Sequence, residues 1–145
     1  MDVTKDIRYI GVDDHRIDLF EGQYVVEHGM AYNSYVLLDE KVAVFDTVEA
    51  HFGAEWLDKL AAALDGRKPD YLILHHMEPD HSANIVKFME AYPDTGIVAT
   101  AKAFQFLEQF YGVNYGDKQR TVKDKDTLSL GVHELTFFTA PMVHW

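Results

Sequence analysis

The chain opens with short runs of apolar residues separated by glycines and acidic side chains. Ile7 to Val12 (IRYIGV) and Gly22 to Gly29 (GQYVVEHG) read as short strands, and Met30 to Glu40 (MAYNSYVLLDE) as a longer one. Lys41 to Thr47 (KVAVFDT) follows after an acidic turn, so these last two segments predict a hairpin. The period then changes. Between Ala54 and Leu64, the residues Trp56, Leu57, Leu60, Ala61 and Leu64 fall on one helical face, and Gly66 is placed to end that helix. Asp70 to His76 (DYLILHH) is a continuous apolar run between Pro69 and a charged cluster, the pattern of a buried strand. Beyond the cluster, Ser82 is a candidate helix cap, and Ile85, Phe88 and Met89 recur at helical spacing. GIVAT (Gly96 to Thr100) predicts another buried strand. Ala101 to Tyr111 predicts a helix with Phe104, Leu107 and Tyr111 on one side, stopped by Gly112. TLSL and ELTFFTAP predict two last strands joined around Gly131. This order implies a mixed sheet carrying helices, an α/β layered fold.

Composition narrows what such a fold can do. The 145 residues, 48% of them hydrophobic, suit one domain with one core. The absence of cysteine rules out disulfides, thiolate metal sites and cysteine nucleophiles within this chain. A formal net charge of −11 repels phosphate backbones, so no nucleic-acid partner is expected. No run of about 18 apolar residues occurs, so no membrane span is expected. The N-terminus lacks the charged-then-apolar pattern of a secretory signal, and the expected location is cytoplasmic. The last residue, Trp145, comes directly after an apolar strand, without a closing helix or polar tail. The expectation is the N-terminal part of a larger domain.

The candidate chemistry lies in His76-Met77-Glu78-Pro79-Asp80-His81. If the strand continues, His76, Glu78 and Asp80 point one way and His75 and Met77 the other, while His81 breaks the alternation. Pro79 disfavours a helix through the cluster and restricts the backbone at Glu78. Two imidazoles and two carboxylates make a mixed nitrogen and oxygen donor set. It suits non-haem iron, manganese or zinc, and argues against Cu(I) and iron–sulfur clusters. Four donors in six residues exceed what one ion needs from one loop, and two adjacent ions would explain the density. A solvated acidic loop is the plainer alternative, but histidines on both sides weigh against it. His75, on the other face, reads as a packed or hydrogen-bonded core histidine.

The hexapeptide reads H-x-E-x-D-H and resembles the metal loop of the flavodiiron proteins, a branch of the metallo-β-lactamase superfamily whose hydrolases typically carry H-x-H-x-D-H. MAYNSYVLLDEKVAVFDTV resembles the family's early hairpin, and PMVHW, after residues 82–143, the segment of the next histidine ligand. The resemblance implies a metallo-β-lactamase-like αββα sandwich, of which residues 1–145 would be the N-terminal part. The rest of that domain, with two further ligands, and a flavodoxin-like FMN domain would be absent. It further implies that His76, Glu78 and His144 hold one iron ion and that Asp80 and His81 serve the second. Asp46 would orient the loop by hydrogen bonds. The implied activity is reduction of O2 to water or of NO to N2O, in a head-to-tail homodimer. Electrons would come from FMN, supplied by rubredoxin or reduced F420. Glu78 adds negative charge and a hard oxygen donor, which favours iron over the zinc of a hydrolase, the alternative reading. The chain alone is expected to bind iron weakly and not to turn over. It is also expected to leave one inner sheet face, with strands such as LTFFTAP, open to water.

Overall fold

The computed structural model describes residues 1–20 and 22–140. Its first part is all β: β1 (Ile7–Tyr9), β2 (Val12–Asp14), β3 (Leu19–Phe20), β4 (Tyr24–Val25), β5 (Met30–Tyr32), β6 (Tyr35–Leu38) and β7 (Val42–Phe45). Then strands and helices alternate: α1 (Gly53–Leu64), β8 (Tyr71–Ile73), α2 (Pro79–Ser82), α3 (Ile85–Ala91), β9 (Gly96–Ala99), α4 (Ala101–Tyr111) and β10 (Gln119–Thr121). A hairpin of β11 (Thr127–Ser129) and β12 (Glu134–Thr136) follows.

The central sheet has the order β1-β6-β7-β8-β9-β10. Its first three strands pair antiparallel, as short connections allow, and the last four pair parallel across helical crossovers. The long strand expected from Met30 is interrupted at Asn33 and Ser34, and the strand from Ile7 is interrupted opposite it. The two ladders nevertheless keep one register, Tyr9 against Tyr35 and Val12 against Tyr32, and the Ile10 amide donates to Ser34 O (2.9 Å) between them. The break has a local cause. A side chain at Gly11 would collide with Tyr32 O and the Tyr9 ring, so the strands approach there as only glycine permits.

Helices α1, α3 and α4 build the core on one face of the sheet. Trp56, Leu60, Leu64, Ile85, Phe88 and Leu107 pack there against Val36, Val44, Leu72 and Ile97. On α1, Trp56, Leu60 and Leu64 are buried as expected. Ala61 is exposed instead, and Ala63 is buried in its place, because the contact face runs past Leu60 toward the Leu64 side. The helix is closed by Asp65, left-handed at φ 48°, one residue before the expected Gly66. Gly112 ends α4 in the left-handed conformation as expected.

The opposite sheet face is not bare. Leu37, Ala43, Ile73 and Val98 are buried under Val122, Leu128 and Leu130. The hairpin is drawn down by the Lys41 amide donating to Leu130 O (2.8 Å) and by Asp39, which accepts from the Val132 and His133 amides (3.2 and 2.6 Å). The central sheet is therefore covered on this face, while the expected open strand meets water in part: Leu135 and Phe137 are half-buried and Phe138 is exposed.

Candidate metal centre

The candidate metal loop leaves the end of β8. Leu74 is buried and its amide still donates to Val98 O (3.0 Å), so the sheet continues one residue past the strand. Extended geometry then stops. Glu78 keeps the extended backbone (φ −67°, ψ 146°) expected before a proline, but Pro79 starts the one-turn helix α2 rather than preventing it. A proline at the first helical position lacks only an amide that would have gone unbonded, and its fixed φ already fits the helix. Ser82 is therefore the last residue of α2 and not the cap of α3, whose N-cap is Asn84.

This helical turn overturns the alternation argument. His76 and Asp80 are brought together, but by a turn of helix that adds His81, the residue alternation set apart. His76, Asp80 and His81 each offer one ligand atom within 4.8 Å of the others'. The His76 and His81 rings lie 4.9 Å apart between centroids, and His81 Nε2 is 3.5 Å from Asp80 Oδ2. Glu78 stands outside that triad but beside it, with Oε2 3.4 Å from His76 Nδ1. His144 and Trp145 lie outside the described residues.

Burial pushes the His76 imidazolium pKa below its ordinary value, helped by neighbouring His81 and opposed by Asp46, Asp80 and Glu78. The favoured neutral imidazole is the form that can ligate a metal. The donor set passes a further test of fit. Asp80 Oδ1 and His81 Nδ1 are buried without a hydrogen-bond partner among the described residues. Buried polar atoms are normally satisfied, and a cation between these side chains would satisfy an acceptor oxygen and an imidazole lone pair together.

What holds the loop is a pair of consecutive residues at the end of β7. Asp46 is buried in a left-handed backbone conformation (φ 55°). One carboxylate oxygen accepts from the His75 amide (2.8 Å) and the other pairs with His75 Nδ1 (2.7 Å). That hydrogen bond raises the His75 pKa against the opposing effect of burial. His75 is hydrogen-bonded as expected but is not a core residue. Its side chain is 61% exposed and its ring stacks along Phe45. Thr47 takes the other end of the loop through the His81 carbonyl, with both its amide (2.9 Å) and its hydroxyl (2.8 Å). Behind Asp46, Ser34 Oγ lies 3.0 Å from Phe45 O and from Asp46 O, and accepts from the buried Trp56 indole N–H (3.0 Å).

From within the loop, Met77 is buried in the core. Ser82 Oγ reaches Met77 O and Glu78 O (3.0 and 2.9 Å) and lies 2.6 Å from Tyr111 Oη. The sequence reading missed Thr47, Ser82 and Tyr111 in these roles. The Asp-Thr pair closing an apolar strand was the legible signal for the first. A cleft of about 550 Å³ opens beside the site, with His75, His76 and Met77 on one wall and Lys102, Phe106 and Phe138 among the others.

Comparison with known proteins places this geometry. Residues 30–145 match the family model described as ODP family beta lactamase. The chain is 37% identical over 147 residues to a nitric oxide reductase of Moorella thermoacetica, covering 99% of this chain and 36% of that protein. The rubredoxin oxygen:oxidoreductase of Desulfovibrio gigas superposes with a TM-score of 0.94 at 30% identity, over 100% of this chain and 36% of the other. The flavodiiron protein of Giardia intestinalis gives 0.91 at 31% identity, over 99% and 34%. The chain thus spans about a third of the length of these relatives.

Proposed function

The chain belongs to the ODP family of β-lactamase-like domains, and from that premise we propose that it carries the metal loop of a flavodiiron oxidoreductase, with His76, Glu78, Asp80 and His81 as ligands of an iron pair. The observation that carries the reading is the convergence of His76, Asp80 and His81, with buried donor atoms on Asp80 and His81 that meet no other partner among the described residues. His144 would complete the set from beyond those residues.

Bound there, the iron pair would supply the binding and multi-electron reduction of a diatomic gas, O2 or NO. The chain's own residues do the rest. Burial favours the neutral form of His76, which can donate its lone pair. The carboxylates of Asp80 and Glu78 offset the positive charge of the ions. Asp46 and Thr47 hold the loop to β7, so that its donors are in place before a metal arrives. The protein as a whole is proposed to reduce O2 to water or NO to N2O with electrons from FMN. Rubredoxin or reduced F420 would be the donor, the assembly a head-to-tail homodimer and the location the cytoplasm. The relatives named nitric oxide reductase and rubredoxin oxygen:oxidoreductase support the redox reading, and a zinc hydrolase is not favoured. No helix among the described residues is long and apolar enough to cross a membrane.

The test is anaerobic equilibrium dialysis of the wild type, Asp80→Asn and His81→Ala against Fe(II), followed by metal analysis without desalting. Iron bound by the wild type and reduced in both variants supports the proposal. Iron content indifferent to Asp80 and His81 contradicts it.

A further inference from the structure

We propose that Thr47 is a positioning residue for the metal loop, setting the place of His81 through that residue's main-chain carbonyl. The inference rests on the metal reading above and adds a residue that the ligand set does not contain. His81 lies in a one-turn helix, so its carbonyl is among the terminal ones that a helix leaves without an internal partner. Thr47 satisfies it twice, with the amide at 2.9 Å and Oγ1 at 2.8 Å. The hydroxyl is itself fixed, because the Asn84 amide donates to the same oxygen (3.3 Å) while its hydrogen goes to His81. Thr47 is fully buried, so water does not compete for these bonds.

The consequence is geometric. Asp46 holds His75, next to His76, and Thr47 holds His81. Two adjacent residues on one strand end thereby fix the spacing between the two imidazole-bearing ends of the loop. Asp46 acts on the first end by charge and hydrogen bonds, and Thr47 on the second by a neutral hydroxyl that leaves the site's charge unchanged. Valine at position 47 keeps the shape and the backbone amide but removes the hydroxyl.

The experiment titrates Co(II) alone into the 145-residue chain and follows the ligand-field bands, for the wild type, Thr47→Val, Thr47→Ser and Asp80→Asn. Thr47→Val is expected to weaken Co(II) binding about tenfold and to shift the bands, while Thr47→Ser stays within about twofold of the wild type with the same spectrum. If Thr47→Val does not fold, Thr47→Ala carries the same expectation. Wild-type affinity and spectrum in the hydroxyl-free variants would overturn the proposal. So would an equal loss in Thr47→Ser, which would assign the effect to packing of the methyl group. A wild type that binds no Co(II), or binds it as Asp80→Asn does, would overturn the metal site itself and the role of Thr47 with it.

Discussion

At the residue scale, the site depends on which atoms have partners. Asp46 gives both carboxylate oxygens to His75, and its backbone carbonyl lies within hydrogen-bond reach of Ser34. Asp46→Ala removes the two carboxylate bonds, keeps the backbone contact with Ser34, and leaves the His75 end of the loop unheld. The metal-free protein is expected to lose on the order of 2 kcal/mol in urea unfolding; an unchanged midpoint would show that the loop is held elsewhere. The candidate cluster itself is legible in the sequence, because histidines and carboxylates packed into six positions are hard to explain as a loop. Its arrangement is not. Strand alternation carried past Ile73 put Glu78 with His76 and Asp80 and set His81 apart, whereas the helical turn begun by Pro79 gathers His81 with His76 and Asp80. Proline disfavours the interior of a helix, but at the first helical position it starts one.

At the element scale, apolar periodicity located the buried strands and α1, α3 and α4, since burial on one face leaves a pattern. It failed where strands face water. β10 (Gln119–Thr121) sits at the sheet edge with polar, mostly exposed residues, so it carries no such pattern. Nor does periodicity reveal how the β11–β12 hairpin is tied down. That tie is Asp39, whose carboxyl is held well below the ordinary carboxylate range, first by the His133 amide and then by the Glu40 amide, the His133 ring and the Val132 amide. A depressed folded-state pKa gives stability that is whole above the unfolded value near 4 and fades as pH falls below it. The stability gap between the wild type and Asp39→Asn should therefore be widest near neutral pH and close toward about pH 2. Urea midpoints at the two pH values check this, and a gap independent of pH would contradict it. Gly131, in the same turn, has φ 126°, and a Cβ there would lie 2.7 Å from Glu40 Cγ and 2.8 Å from Asp39 Oδ1. Gly131→Ala is expected to cost on the order of 1–3 kcal/mol, measured by thermal unfolding. On the helical side, Trp56 is fully buried, so Trp56→Ala should cost about 3–5 kcal/mol and leave Ser34 without its indole donor.

At the scale of the whole molecule, one sheet face carries the helices and the other the β11–β12 hairpin, and the candidate metal loop emerges at the end of the central strands β7 and β8. That placement couples metal to fold, because a ligand that binds only the folded chain stabilises it by mass action. At a hundredfold excess over its dissociation constant, Fe(II) should raise stability by about 2.7 kcal/mol in the wild type and much less in His81→Ala. The most direct measurement is X-ray absorption on the anaerobically iron-loaded protein. A metal centre at this loop predicts a nitrogen and oxygen shell with imidazole scattering that diminishes in His76→Ala and in His81→Ala. An all-oxygen shell, the same in the wild type and both variants, would contradict it.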